Sequence, residues 1–248
     1  MNGPRVDAHH EEPLFLAAGD DRIFGVLTSP SREPSGLGVL LLAGGVYVLN
    51  TNKNRMFVDM ARLLGGAGHY VLRIDYRGVG ESTGTIGGYA LDDPNPLDVR
   101  SAMHRLLGTG VQKLVLVGTC YGARAAMHVA AEDPELAGMI LFAPPIGDLD
   151  RGEAPTADRI GPLFVDRLGK LAHRRIPTSL IYGVDDAYYH DFQQAKNGPL
   201  AELFQPGSPL SVTTLPGKAH GLERVATQQA FTDFAVRFCS LRADRVQG

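Results

Sequence analysis

The residues that most constrain what this chain can fold into are Lys113–Ala126, KLVLVGTCYGARAA. An apolar β-type run, Lys113–Val117, passes into Gly118-Thr119-Cys120-Tyr121-Gly122, and a helix-forming stretch, Ala123–Ala131, follows at once. A strand that turns this sharply into a helix needs small residues two before and two after the turn, because the two backbones approach each other there. The pattern is G-x-S-x-G with cysteine in the serine position. A thiol at such a turn sits at a helix N-terminus, which lowers its pKa and raises its thiolate fraction. The bland alternative is a buried, inert cysteine, the usual fate of a thiol without a disulfide. That alternative needs neither the flanking glycines nor the strand-to-helix context. Cys120 is therefore the candidate nucleophile.

A second match, Gly80-Glu81-Ser82-Thr83-Gly84, has the same spacing. It runs into Thr85-Ile86-Gly87-Gly88 and then Asp93-Pro94-Asn95-Pro96, which cannot begin a helix. Without its helix the pattern loses its mechanism, and Ser82 is set aside.

Around the elbow the chain alternates short β-type runs with helical stretches. Leu14–Ala17 and Ile23–Leu27 read as a hairpin about Gly19-Asp20-Asp21. Gly38–Ala43 is a continuous apolar run, the mark of a strand buried on both faces of a parallel sheet. Asn54–Leu64 has apolar residues at helical spacing and is stopped by Gly65, Gly66 and Gly68. Tyr70–Ile74, Gly138–Phe142, Pro177–Tyr182 and Ser211–Leu215 read as further strands, with helices over Asp98–Leu107 and Glu223–Leu241. Such alternation calls for a mostly parallel sheet with helices on both faces, within one domain spanning residues 1–248. Gly147–Arg175 breaks the rhythm and carries its own helical stretch, Gly161–Leu171. An insertion there would lie over the carboxyl ends of the strands, where open α/β sheets bind ligands, and it reads as a small lid.

The triad order on this kind of scaffold is nucleophile, acid, base. The first strand after the elbow that can deliver an acid is Pro177–Tyr182, followed by Gly183-Val184-Asp185-Asp186. Either carboxylate could orient a histidine; the spacing from Gly183 favours Asp186. Ser211–Leu215 leads into Pro216-Gly217-Lys218-Ala219-His220-Gly221, so His220 lies in a glycine-flanked loop just before the last helix, where the base belongs. His190, after the acid loop, is a candidate for the pocket wall. Two backbone N–H groups are needed for an oxyanion hole. Tyr121 supplies one, and Gly45 and Val46, after Gly38–Ala43, are placed to supply the other. The chain has no tryptophan, so Tyr47, Tyr121, Tyr188 and Tyr189 are the aromatic candidates for contact with substrate. Arg124, four residues beyond Cys120, could face the sheet edge or act on the thiol; the sequence does not choose.

Composition narrows the function classes. A net charge of −3 gives no electrostatic reason to expect nucleic acid or an anionic membrane as partner. The first residues, MNGPRVDAHHEEP, have no apolar core resembling a signal peptide, and no apolar run approaches membrane-spanning length. Two cysteines make no disulfide framework. Neither metal-ligand spacing nor a dinucleotide fingerprint is present. These features lead us to expect a soluble, cytoplasmic protein without a metal or other cofactor.

From about Phe15 to Phe238 the chain resembles the α/β-hydrolase superfamily. Besides the elbow, Tyr70–Gly84, YVLRIDYRGVGESTG, resembles the D-x-R-G-x-G-x-S segment after that superfamily's fourth strand, which makes Ser82 part of a structural loop. Gly44-Gly45 together with Gly118-x-Cys120 resembles the exosortase-associated hydrolases, and a cysteine nucleophile is also a feature of dienelactone hydrolases. Two departures stand out: Ala43 occupies the place of the usual histidine in the oxyanion motif, and Tyr47–Asn54, YVLNTNKN, is long and polar for a plain esterase. The resemblance implies an α/β-hydrolase fold and an acyl-transfer reaction on a small-molecule ester, lactone or thioester through Cys120, His220 and Asp186. It also implies two alternatives on the same scaffold: a lyase that eliminates a group such as acetate in natural-product biosynthesis, or a non-catalytic ligand-binding descendant.

Overall fold

The computed structural model describes residues 10–45, 47–86, 90–132, 136–147 and 160–247. Among these described residues, eight strands form one sheet in the order β1-β2-β4-β3-β5-β6-β7-β8. β1 (Glu11–Ala18) and β2 (Asp21–Thr28) form the hairpin, and β2 joins β4 (Tyr70–Ile74) antiparallel. β3 (Leu37–Leu42), β4, β5 (Lys113–Thr119), β6 (Leu136–Phe142), β7 (Thr178–Gly183) and β8 (Leu210–Leu215) run parallel. Every residue of β3 and β7 is buried, as strands covered on both faces must be. The alternation read from the sequence is thus present strand for strand.

Among the described residues, six α-helices cover the sheet: α1 (Met56–Gly66), α2 (Pro96–Leu107), α3 (Tyr121–Ala130), α4 (Pro162–His173), α5 (Ala187–Lys196) and α6 (Val225–Gln247). α1 packs against α6, while α2 packs on α3 and α3 on α4. The sequence reading assigns no helix between Tyr182 and Ser211, and α5 is its main omission. The reason is physical: α5 buries only Phe192 and Ala195, so AYYHDFQQAK carries no apolar stripe. α1 starts two residues later than the periodicity suggests, because Asn54 and Arg55 take left-handed φ values of 49° and 60° and form a single 3-10 turn with Lys53.

Of the segment expected to act as a lid, residues 148–159 lie outside the described residues. The rest forms α4, whose Phe164, Leu168 and Leu171 are fully buried in the main core. The described part is therefore a docked helix, its apolar side turned to α3 and the main core.

β3 lies between β4 and β5, so the crossovers on its two sides leave the sheet in opposite senses. A crevice opens at such a reversal, outside the carboxyl ends of the strands. The loops after β3, β5, β7 and β8 all emerge at that end, and they carry the residues singled out above.

Candidate active site

The turn after β5 is made by Cys120, at φ 48° and ψ −112°. A residue with a side chain seldom holds such a backbone conformation unless its surroundings enforce it. Here they do. The Cys120 N–H donates to the Phe142 carbonyl at 2.7 Å, and the Cys120 carbonyl accepts from Ala123 and Arg124 as α3 begins. The glycines two before and two after leave no alternative: a Cβ on Gly118 would lie 2.4 Å from the Gly122 oxygen, and one on Gly122 would lie 2.2 Å from the Leu42 oxygen. Cys120 is half-buried at the N-terminus of α3, where the helix dipole favours negative charge.

The loop after β3 presses onto this turn. A Cβ on Gly44 would fall 3.1 Å from the Cys120 Cβ and 2.8 Å from the Thr119 oxygen, so only glycine permits the approach. Gly45 follows at φ 92°. Further along, Asn52 Nδ2 reaches the Thr119 hydroxyl at 3.5 Å. Val46, one of the sequence candidates for the oxyanion side, lies outside the described residues. Tyr121 is the first residue of α3; its phenol is buried, accepts from Asn95 Nδ2 at 3.1 Å and meets Tyr76 edge-on. What Tyr121 can offer the crevice is its backbone N–H.

Asp186 is 5 % exposed and Asp185 is fully at the surface. The Asp186 carboxylate accepts three backbone N–H bonds: from Gly183 (2.9 Å) and His220 (2.9 Å) at Oδ2, and from Ala219 (3.1 Å) at Oδ1. It thereby ties the exit of β7 to the loop after β8. Asp185 contributes only its backbone N–H, to the Gly217 carbonyl. Of the two carboxylates left open by the sequence, Asp186 is the one brought to the histidine.

His220 is half-buried, with Nε2 shielded from solvent and without a hydrogen-bond partner among the described residues. Burial lowers its pKa from the ordinary value of 6.5; the Asp186 charge opposes that shift, and Lys53 adds to it. The net shift favours the neutral imidazole. Tyr188 stands edge-on to the imidazole at 4.6 Å between ring centres. Its phenol pKa is raised, first by burial and then by the neighbouring Cys120. Tyr188 therefore stands against the imidazole, close enough to Cys120 to feel its charge.

The other tyrosine candidates have different surroundings. Tyr47 is 77 % exposed. Tyr189 packs on Tyr182 at 6.0 Å, and its hydroxyl accepts from Gln193 of its own helix. His190 sits at the surface of α5. Arg124 is fully buried; its guanidinium donates to the carbonyls of Pro145 (2.9 Å), Gly147 (3.2 Å) and Leu91 (3.3 Å), beneath the ring of Phe164. It fastens the segment leading out of β6 onto α3. Ser82 is structural as read: its hydroxyl donates to the Asp75 carbonyl and accepts from the Phe24 N–H, stitching the loop after β4 to β2.

Sequence reasoning missed Asn52 and Lys53 at the site, as well as the Asp75–Asn50 pair beneath the loop after β3. The one signal was the polarity of Tyr47–Asn54, since spacing gives no hint that this loop folds back on β4. No group of His, Cys, Asp and Glu among the described residues has a metal-binding arrangement, and no described helix is long and apolar enough to cross a membrane.

Comparison with known proteins agrees with this architecture. No curated protein matches the sequence. Among solved structures, Est1E of Butyrivibrio proteoclasticus, determined with ferulic acid bound, superposes with a TM-score of 0.68 at 16% identity, covering 92% of this chain and 98% of its own. An esterase of Pyrococcus furiosus gives 0.68 at 16% identity, with coverage of 100% and 97%. The proline iminopeptidase of Mycobacterium smegmatis gives 0.65 at 15% identity, with coverage of 94% and 99%. At these identities the likeness is one of fold. The alpha/beta hydrolase family matches residues 39–245, most of the chain. The chain belongs to the alpha/beta hydrolase family.

Proposed function

We propose that this chain is a hydrolase or acyl-transfer enzyme acting on an ester, lactone or thioester, with Cys120 as nucleophile, His220 as base and Asp186 as the acid that orients the base. What supports the reading is a cysteine in a strained backbone conformation at a helix N-terminus, a histidine with a shielded Nε2, and a buried carboxylate bonded to the histidine's own loop, on loops that leave the same end of the sheet.

His220 takes the thiol proton, and the Cys120 sulfur attacks the acyl carbonyl to form a tetrahedral intermediate. The N–H of Tyr121 and that of the Gly45–Val46 segment stabilise its oxyanion. Collapse expels the alcohol or thiol leaving group, which takes the proton back from His220, and leaves an acyl-thioester on Cys120. Water or another acceptor, deprotonated by His220, then releases the acyl group. Asp186 keeps the imidazole in one tautomer and stabilises the cation that forms. Tyr188 stays protonated and walls the crevice beside the reacting sulfur. Esterases and a peptidase among the structural neighbours are in keeping with chemistry at a carbonyl.

The test is a panel of chromogenic esters and thioesters assayed with native protein and Cys120→Ala. Turnover by the native protein that disappears in the variant supports the proposal; full turnover in Cys120→Ala refutes it.

A further inference from the structure

Two sequence features have no part in the chemistry above: the long polar loop Tyr47–Asn54, and the aspartate that opens the D-x-R-G-x-G-x-S segment. In the fold they meet. Asp75, at the end of β4, is 2 % exposed. Its Oδ1 accepts from the Asn50 backbone N–H at 2.5 Å, and its Oδ2 accepts from Asn50 Nδ2 at 2.8 Å. Arg73, two residues back on β4, donates to Asn50 Oδ1 and reaches Glu11 of β1 at 3.5 Å. Asn50, itself 5 % exposed, thus has its backbone N–H and both ends of its amide engaged by β4.

A buried carboxylate is costly unless its oxygens are bonded, and here one loop residue supplies donors to both. Burial raises the Asp75 pKa, while the two Asn50 bonds oppose that shift. The loop is held at a second point two residues later, where Asn52 reaches Thr119, the neighbour of Cys120. Between the end of β3 and these fastenings lie Gly44, in contact with the elbow, and Gly45. The loop has little apolar hold on its distance from the nucleophile: Tyr47 and Leu49 are exposed, and the half-buried Val48 packs against the core.

We infer that Asp75, acting through Asn50, is a positioning residue that sets the Gly44-Gly45 backbone against Cys120 and so builds the oxyanion side of the crevice. This rests on the acyl-transfer reading. It goes beyond that reading by assigning a role in turnover to a carboxylate that touches neither substrate nor triad.

The experiment compares the native chain with Asn50→Ala and Asp75→Asn. Two rates are measured well below the melting temperature of each protein: turnover of p-nitrophenyl acetate, and alkylation of Cys120 by iodoacetamide. Ester attack develops an oxyanion and alkylation at a saturated carbon does not. A misplaced hole therefore lowers kcat, by about 10²-fold on the scale of losing one oxyanion donor, while KM and the alkylation rate hold. Asp75→Asn should have the larger effect: an asparagine whose oxygen keeps the Asn50 N–H sets its NH2 against Asn50 Nδ2, donor against donor, whereas Asn50→Ala only removes the side-chain bonds. If Asp75→Asn does not fold, the milder variant carries the test. Unchanged kcat in folded variants overturns the inference. So does a parallel fall in turnover and alkylation, because the network would then hold the thiol or the fold as a whole. A native chain that turns over no acyl substrate overturns the acyl-transfer reading and this inference with it, an outcome distinct from variants as active as the native chain.

Discussion

Replacing Asp186 by asparagine removes a charge at the junction of two loops and alters little else. The native carboxylate takes three backbone N–H bonds, two at Oδ2 and one at Oδ1. An asparagine can present its oxygen at the Oδ2 position and keep the bonds from Gly183 and His220. Its NH2 then faces the Ala219 N–H, donor against donor. Hydrogen bonds to a charged acceptor contribute about 1.5–3 kcal/mol, and an unsatisfied buried donor costs about 1–3 kcal/mol. The two add to about 2.5–6 kcal/mol, against the roughly 5–15 kcal/mol that a domain possesses. At about 2–4 °C per kcal/mol for a chain of this size, the melting temperature falls by about 5–24 °C. Activity suffers far more. Loss of the orienting acid costs about 10⁴-fold in the serine protease where it is best known, and a comparable loss in kcat/KM is predicted here. Asp185 is exposed and engages only through its backbone, so Asp185→Asn should change stability by less than about 0.5 kcal/mol and kcat/KM by less than about threefold. Ester turnover and urea unfolding, measured on both variants, check the pair. Equal effects, or a larger effect from Asp185, would refute the assignment of the acid.

Three further outcomes follow from the structure. The acid limb of kcat/KM should have its midpoint below the ordinary histidine value of 6.5, because His220 must be neutral to act and burial lowers its pKa; a midpoint above that value in a pH–rate profile would contradict the role of burial. Stability should fall on acidification between about pH 6.5 and 4, because His69, 1 % exposed and hydrogen-bonded to Ser35 at 2.6 Å, titrates at about 4 when folded and near 6.5 when unfolded, so the unfolded chain binds the extra proton. Its share reaches about 3 kcal/mol, and urea unfolding of His69→Gln at pH 7 and 4.5 should show a shallower pH slope than the native protein. Iodoacetamide should label Cys120 with a midpoint below the roughly 8.5 of an ordinary thiol, while the folded protein leaves Cys239 untouched, since full burial pushes that thiol up to about 12; labelling read by peptide mass against pH distinguishes them.

Much of this molecule was legible in its sequence, and the reasons are specific. β3 and β5 are read correctly because continuous apolar runs bounded by glycine have few other uses. The elbow is read because strand, glycines and helix must occur together. Asp186 and His220 are expected from chain order, and the carboxylate of Asp186, not that of Asp185, accepts from the loop of His220. What the sequence hides is what depends on long-range polar contacts. Nothing in the spacing reveals that Asp75 reaches Asn50 or that Arg124 spends its charge on three carbonyls. α5 escapes notice because it buries only two residues. The tyrosines share one chemistry, and only the fold separates Tyr188 beside His220 from Tyr47 at the surface.

The central claim is that the acyl group passes through the sulfur of Cys120. Native protein mixed rapidly with a p-nitrophenyl ester and quenched in acid should show an intact mass raised by one acyl group, with peptide mapping placing the increment on the segment containing Cys120. Cys120→Ala should show neither the increment nor turnover. An acyl group found on any other residue, or turnover that persists in Cys120→Ala, would contradict the account.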